Sequence, residues 1–199
     1  MPHDPNSRAF VMLSALGSDQ PGLVARITKY VADRGGNVED SRMVALGGVF
    51  GVMLLASGTE EEAERLLADV ETLEREAQLR VLAHRATDPE AKGRHSDTGV
   101  LLSVTASAFD REGILMEISD LMRSTGGNIV ELDTTTYDEP LTKAPFFQMR
   151  MTVEVQRTAE VEPIRAKLTS LAIRERIALE VKQAERTSEQ TPGLTATAS

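Results

Sequence analysis

The sequence predicts an α+β chain made of two copies of one β-α-β-β-α-β unit, and three observations point there. Asp19-Gln20-Pro21-Gly22-Leu23 opens a helix that closes at Gly35-Gly36-Asn37-Val38. The pattern returns as Asp110-Arg111-Glu112-Gly113-Ile114, closing at Gly126-Gly127-Asn128-Ile129, with every position displaced by 91 residues. A self-match at fixed offset marks a duplicated structural unit. Strand-like and helix-like stretches also follow one another in the same order in both halves. Finally, two crossovers in one sheet, with both helices on one face, describe a ferredoxin-like arrangement with an antiparallel sheet. The expected layout is domain 1 over 8–84, a linker over 85–98, domain 2 over 99–184 and a disordered tail over 185–199.

Residues 9–16 read as a strand ended by Gly17-Ser18. After the Asp-Gln-Pro-Gly turn, Leu23, Val24, Ile27, Tyr30 and Val31 recur at helical spacing. Gly35-Gly36 ends that helix in a left-handed C-cap. Residues 38–46 and 49–57 form two strands about Gly47-Gly48, a tight hairpin. Thr59-Glu60-Glu61-Glu62 is a capping-box start, and Ala63, Leu66, Leu67, Val70 and Leu73 form the buried stripe of one second helix. Gln78 to Ala83 closes the copy as a strand. The polar stretch from Arg85 to Thr98, with Pro89 and Gly93, reads as the linker. The second copy repeats the order: strand 99–107, helix 114–125, strands 129–137 and 146–155, a helix over about 160–174 and strand 176–183. Pro163 fits only within the first turn of its helix. From Arg186 on, Ser, Thr, Gln and Pro dominate the tail.

Composition narrows the function. The chain has 199 residues, 41% hydrophobic and 27% charged, with a net charge of -9. That balance opposes non-specific nucleic-acid binding, which draws on clustered Lys and Arg. With no cysteine, disulfides, thiolate metal sites and cysteine nucleophiles are excluded. His3, His84 and His95 have no second ligand at metal-binding spacing, so no metal or other cofactor is expected. No nucleophile elbow or Walker loop occurs, and no catalytic residue is assigned. The N-terminus lacks a secretory signal, and no apolar run approaches the ~20 residues that span a bilayer. A cytoplasmic, non-enzymatic protein is expected.

The strands also assign the sheet faces. In the second copy Val100, Leu102, Val104 and Ala106 alternate with Leu101, Ser103, Thr105 and Ser107, so its open face is mainly polar. The same alternation puts Phe10, Met12, Met53 and Leu55 on the open face of the first copy. An apolar face with no helix over it usually marks an interface. This face is expected to pack on another sheet, and a homodimer is expected. The alternative is that the N-terminal segment or the tail folds over these side chains.

The remaining site is the turn between the first strand and first helix. Gly22 and Gly113 let backbone approach a ligand, and the helix N-terminus offers N–H groups to an anion. Asp19 or Asp110 offers a carboxylate to an ammonium. Asn37 or Asn128 is placed beside the turn, with a donor and an acceptor. Carboxylate and ammonium held side by side describe a free amino acid. The alternative is that Asp19 only caps the helix and Asn37 only completes its C-terminal turn.

The repeat, with Asp-x-Pro-Gly-Leu before the helix and Gly-Gly-Asn-Val after it, resembles the ACT domain, a small regulatory module that commonly binds amino acids. More narrowly, Ala15-Leu16-Gly17-Ser18-Asp19-Gln20-Pro21-Gly22, Glu39-Asp40-Ser41-Arg42-Met43 and Leu46-Gly47-Gly48-x-Phe50 resemble the glycine cleavage system transcriptional repressor family. The resemblance implies a regulator that senses a small amino acid, glycine or similar, and acts on a partner protein such as a transcriptional activator. It implies a site at an interface between two domains. The contacts would come from Asp19, Gln20, Pro21, Gly22 and Leu23 with Asn37 and Val38. In the second copy they would come from Asp110, Arg111, Gly113 and Ile114 with Asn128 and Ile129. Some members also use a side chain two residues before the turn's polar residue; Gly17 and Ala108 stand there and offer none. Glu112 replaces Pro21 in the second copy, which is therefore expected to be the one that has lost binding. The competing reading is a ligand-independent scaffold that pairs through the open face of domain 1. RNA binding on the sheet is poorly served by one open-face aromatic in an acidic chain.

Overall fold

A computed structural model describes residues 8–87, 99–156 and 161–184. Contacts divide the chain into two compact units, one ending at Arg94 and the other beginning at His95. The first holds β1 (Ala9–Ser18), α1 (Leu23–Asp33), β2 (Asn37–Leu46), β3 (Val49–Gly58), α2 (Glu60–Ala68), α3 (Val70–Ala77) and β4 (Arg80–Ala86). The second holds β5 (Val100–Phe109), α4 (Ile114–Ser124), β6 (Asn128–Asp138), β7 (Pro145–Val155), α5 (Val161–Glu175) and β8 (Ala178–Ala184). The sheets have strand orders β2-β3-β1-β4 and β6-β7-β5-β8, with every neighbouring pair antiparallel. This is the ferredoxin-like topology, twice. The tail over 185–199 and most of the linker lie outside the described residues.

Each core forms where a period-two strand face meets period-3.6 helix stripes. In the first unit Val11, Leu13 and Ala15 of β1 and Val52, Leu54 and Ala56 of β3 pack beneath Leu23, Ile27, Tyr30 and Val31 of α1. Ala63, Leu66, Leu73 and Ala77 complete it from α2 and α3. In the second unit Leu102, Val104 and Ala106 of β5 and Met149, Met151 and Val153 of β7 meet Ile114, Ile118 and Met122 of α4. Leu168 and Leu171 of α5 close that core. Pro163 sits in the first turn of α5, where its missing N–H has no helical acceptor to satisfy.

One sequence expectation fails here. The second helix of domain 1 is two helices, because Asp69 interrupts it at φ -113°, ψ 21°. Its carboxylate accepts a hydrogen bond from the Thr72 hydroxyl at 2.6 Å and pairs with Arg34, which favours a local turn over continued helix. Arg34 in turn lies over the Tyr30 ring at 3.8 Å, and the Tyr30 hydroxyl donates to the Leu66 carbonyl at 2.6 Å. These links tie the end of α1 to the α2–α3 junction.

Both units carry a register irregularity at the same place in the second strand, between Val38 and Asp40 and between Ile129 and Glu131. In the first unit the skipped residue is Glu39. Its carboxylate accepts from the buried Ser57 hydroxyl at 2.6 Å, the Asn37 amide at 2.9 Å and the Arg8 guanidinium. The Ser57 hydrogen bond, helped by those from Asn37 and Arg8 and by the Arg8 charge, holds the Glu39 carboxyl below its ordinary value. A lowered folded-state pKa contributes stability above the unfolded value, about 4.5, and that contribution is lost as pH falls through the folded value. Glu39→Gln should therefore flatten the acid-side loss of stability below about pH 4.5. Urea unfolding of wild type and variant between neutral and acid pH measures it; parallel pH profiles would refute the coupling.

Candidate functional site

The two first turns have the same backbone. Gly22 and Gly113 precede their helices at φ 85° and 90°, the left-handed region that side chains disfavour. Each turn is anchored at its start by one backbone bond: Asp19 N–H donates to the Gly48 carbonyl at 2.9 Å, and Asp110 N–H to the Pro145 carbonyl at 2.8 Å. A Cβ on Gly22 would meet nothing within 4 Å, so the glycine is demanded by its torsion rather than by crowding.

Neither aspartate caps its helix. No side-chain capping hydrogen bond is made at the start of α1 or α4. Among the described residues the carboxylates of Asp19 and Asp110 have no hydrogen bond or ion pair. Asn37 does not finish α1 either, since the N–H groups of Arg34, Gly35 and Gly36 close that end on the carbonyls of Val31 and Ala32. The purely structural roles considered for Asp19 and Asn37 are thus not the ones they play.

The turns differ in what surrounds the helix N-terminus. The first turn of α1 has no acidic residue. That of α4 has Glu117, which accepts from Arg111 at 2.9 Å; Arg111 also pairs with Glu175 at 2.7 Å. The Arg111 hydrogen bonds and charge hold the Glu117 carboxyl below its usual range. A carboxylate already sits at the positive end of α4, whereas the first turn of α1 holds none. The Gln20 amide donates across to the Gln78 side-chain oxygen at 3.4 Å, at the C-cap of α3.

Several sequence-assigned residues offer only their backbone. Leu23 and Ile114 are buried in the cores, and Val38 and Ile129 pack against them. Gly17 has no side chain because none fits: its Cβ would stand 2.7 Å from Leu79 and 3.0 Å from the Gln78 carbonyl oxygen.

The position of Asn37 needs correction. It pairs with Ser57, which faces Phe10 at the start of β1, while Asp19 follows the end of β1. The two lie at opposite ends of the sheet, roughly 30 Å apart at about 3.3 Å per strand residue. Asn128, opposite Glu154 near the start of β5, stands in the same relation to Asp110. The reason is topological: β2 is a crossover away from β1 and begins where β1 begins. No single unit brings turn and asparagine together, and the Asn37 amide is already bonded to Glu39.

The open face of the first sheet is apolar, but its accessible part is displaced. Phe10 is only 5% exposed, with Arg8 5.5 Å from its ring, so it is no free contact surface. Met12 and Leu55 are half-buried. Met53 at 56% is joined by Leu16 at 58%, Val44 at 59% and Leu82 at 68%. The register puts Leu16, Val44 and Leu82 on the same face as Met53, toward the Asp19 end. The sequence assignment named Phe10, Met12, Met53 and Leu55 and missed Leu16, Val44 and Leu82. Among the described residues, no helix is long and apolar enough to cross a membrane, and no group of three His, Cys, Asp or Glu is placed to hold a metal.

The topology, the glycine turns and the unengaged aspartates define two ferredoxin-like units of one kind, which can be set beside known proteins. Residues 9–84 match the ACT domain family. The chain is 25% identical to the glycine cleavage system transcriptional repressors of Escherichia coli (strain K12) and Shigella flexneri over 159 residues, covering 80% of this chain and 82% of each relative. The crystal structure of an unknown protein from Galdieria sulphuraria shares the fold at TM-score 0.77 and 23% identity, over 90% of this chain and all of that one. The crystal structure of a protein assigned as a glycine cleavage system transcriptional repressor does so at TM-score 0.67 and 16% identity, over 89% and 98%. The first unit thus matches the ACT domain family, and the chain as a whole resembles the glycine cleavage system transcriptional repressors.

Proposed function

We propose that the chain is a non-catalytic regulator that binds a small free amino acid at the turn of the first unit and thereby modulates a partner protein. The observation that carries this reading is the start of α1. It joins an unpaired Asp19 carboxylate to a helix N-terminus with no acidic residue in its first turn, on a glycine turn that leaves the backbone open. The N–H groups receive the ligand carboxylate and Asp19 its ammonium. Asn37 lies at the far end of its own unit's sheet and bonds Glu39, so it would reach this turn only from a second copy of the chain. The turn at Asp110 keeps the frame, but Arg111 and Glu117 occupy its surroundings with each other. The likeness to the repressors supports a regulatory role, and a transcriptional activator fits as the partner.

Calorimetry with glycine and serine tests the site. Asp19→Ala and Asn37→Ala should each weaken binding at least tenfold, while Asp110→Ala should change it little. Loss in Asp110→Ala with retention in Asp19→Ala would move the site to the second unit and overturn the assignment.

The apolar face supports self-association through unit 1. A second copy seated on Leu16, Val44, Met53 and Leu82 would shield four side chains that are each more than half exposed.

A further inference from the structure

The open face of the second sheet carries a groove of about 480 Å³ whose polar lining includes Thr105, Ser107, Asp133, Gln148, Arg150 and Glu180. None of them belongs to the turns. The strand register arranges them in rows: Asp133 faces Arg150, Arg150 faces Thr105 and Thr105 faces Glu180, so one row crosses all four strands. Gln148 and Ser107 face each other in the next row. Arg150 makes no ion pair or hydrogen bond among the described residues, although a carboxylate stands directly across from it. In the first sheet the duplicated row reads Arg42, Met53, Ser14 and Leu82. The frame is the same, but two apolar positions have become Arg150 and Glu180.

We propose that this groove is a second ligand site, separate from the turns, which takes a free α-amino acid as its zwitterion. Arg150 presents a planar fork that matches a carboxylate bidentately. Asp133, about 5 Å across the strand pair, stands where the α-ammonium of the same ligand falls. The Thr105 hydroxyl and Gln148 amide supply neutral hydrogen bonds beside them. Asp133, Arg150 and Glu180 together carry one negative charge, which disfavours a simple anion and suits a ligand carrying both signs. Glu180 lies beyond Thr105, two strand spacings or roughly 10 Å from Arg150, and selects a ligand side chain that carries a hydrogen-bond donor.

The test is titration of the full chain with serine, lysine, N-acetylserine and serine methyl ester, followed by the NMR signal of the Thr105 methyl group. Serine or lysine should shift that signal saturably, and blocking either charged group of serine should weaken binding at least tenfold. Arg150→Gln and Asp133→Asn should each weaken it at least tenfold with an unchanged far-ultraviolet circular dichroism spectrum. Asp19→Ala should leave the Thr105 response intact even where it removes the binding heat of the turn site, so the two sites succeed or fail separately. The proposal is overturned if neither amino acid moves the Thr105 signal, if N-acetylserine binds as serine does, or if Arg150→Gln responds like wild type.

Discussion

A Met53→Glu, Leu82→Glu double variant is expected to be monomeric at concentrations where the wild-type chain is expected to dimerise. Both side chains are more than half exposed on the open face of the first sheet, in one cross-strand row with Ser14 between them. Burying an apolar side chain of this size contributes about 1.5–3 kcal/mol, and a glutamate in its place must lose its hydration without a partner. Across a self-complementary interface each change is met twice. Association should weaken by at least a hundredfold, about 2.8 kcal/mol at 1.4 kcal/mol per factor of ten. Light scattering coupled to gel filtration measures it. A Phe10→Glu variant is the informative comparison: Phe10 is buried, so its replacement should cost stability of the first unit rather than association alone. Association unchanged in the double variant would remove this face from the interface.

Gly17→Val should destabilise the first unit by roughly 2–3 kcal/mol, at the upper end of what overpacking costs. The new Cβ would stand 2.7 Å from a methyl of Leu79 and 3.0 Å from the backbone oxygen of Gln78. The methyl can move; the carbonyl belongs to the tight turn into β4, where Gln78 sits at φ 55°. A shift of roughly 10–20 °C in the thermal transition of the first unit is expected at about 4–8 °C per kcal/mol. Leu79→Ala should recover part of the loss when combined with it, giving a coupling that separate sites would not show. Additive effects would mean that Gly17 and Leu79 do not collide. The same crowding explains why position 17 has no ligand side chain in this protein.

Much of the fold was legible because duplication and periodicity are properties of the chain itself. The 91-residue offset between the Asp19 and Asp110 turns, the alternation in β5 and β7 and the glycines at 22, 35, 113 and 126 all report local geometry. What the sequence hid was set by tertiary partners. Asp69 breaks a helix whose apolar stripe runs on through it, because Arg34 and Thr72 claim its carboxylate. The distance between Asp19 and Asn37 depends on strand direction, which a shared motif does not encode. Glu39 stands in the sequence only as the first residue of the Glu39-to-Met43 motif; it is the irregularity in β2 that aims it at Arg8, Asn37 and Ser57. The difference between the two turns rests on Arg111 folding onto Glu117 and Glu175, the latter 64 residues away in sequence.

Amino-acid sensing at the first turn is the claim on which the functional account stands. Isothermal titration of the full-length Arg150→Gln chain, in which the groove site is disabled, with each of the twenty amino acids, repeated with Asp19→Ala added, tests it most directly. Saturable heat for at least one small amino acid, weakened tenfold or more in Asp19→Ala, is the expected result. No heat from any amino acid at millimolar concentration, or heat that Asp19→Ala leaves unchanged, would contradict it.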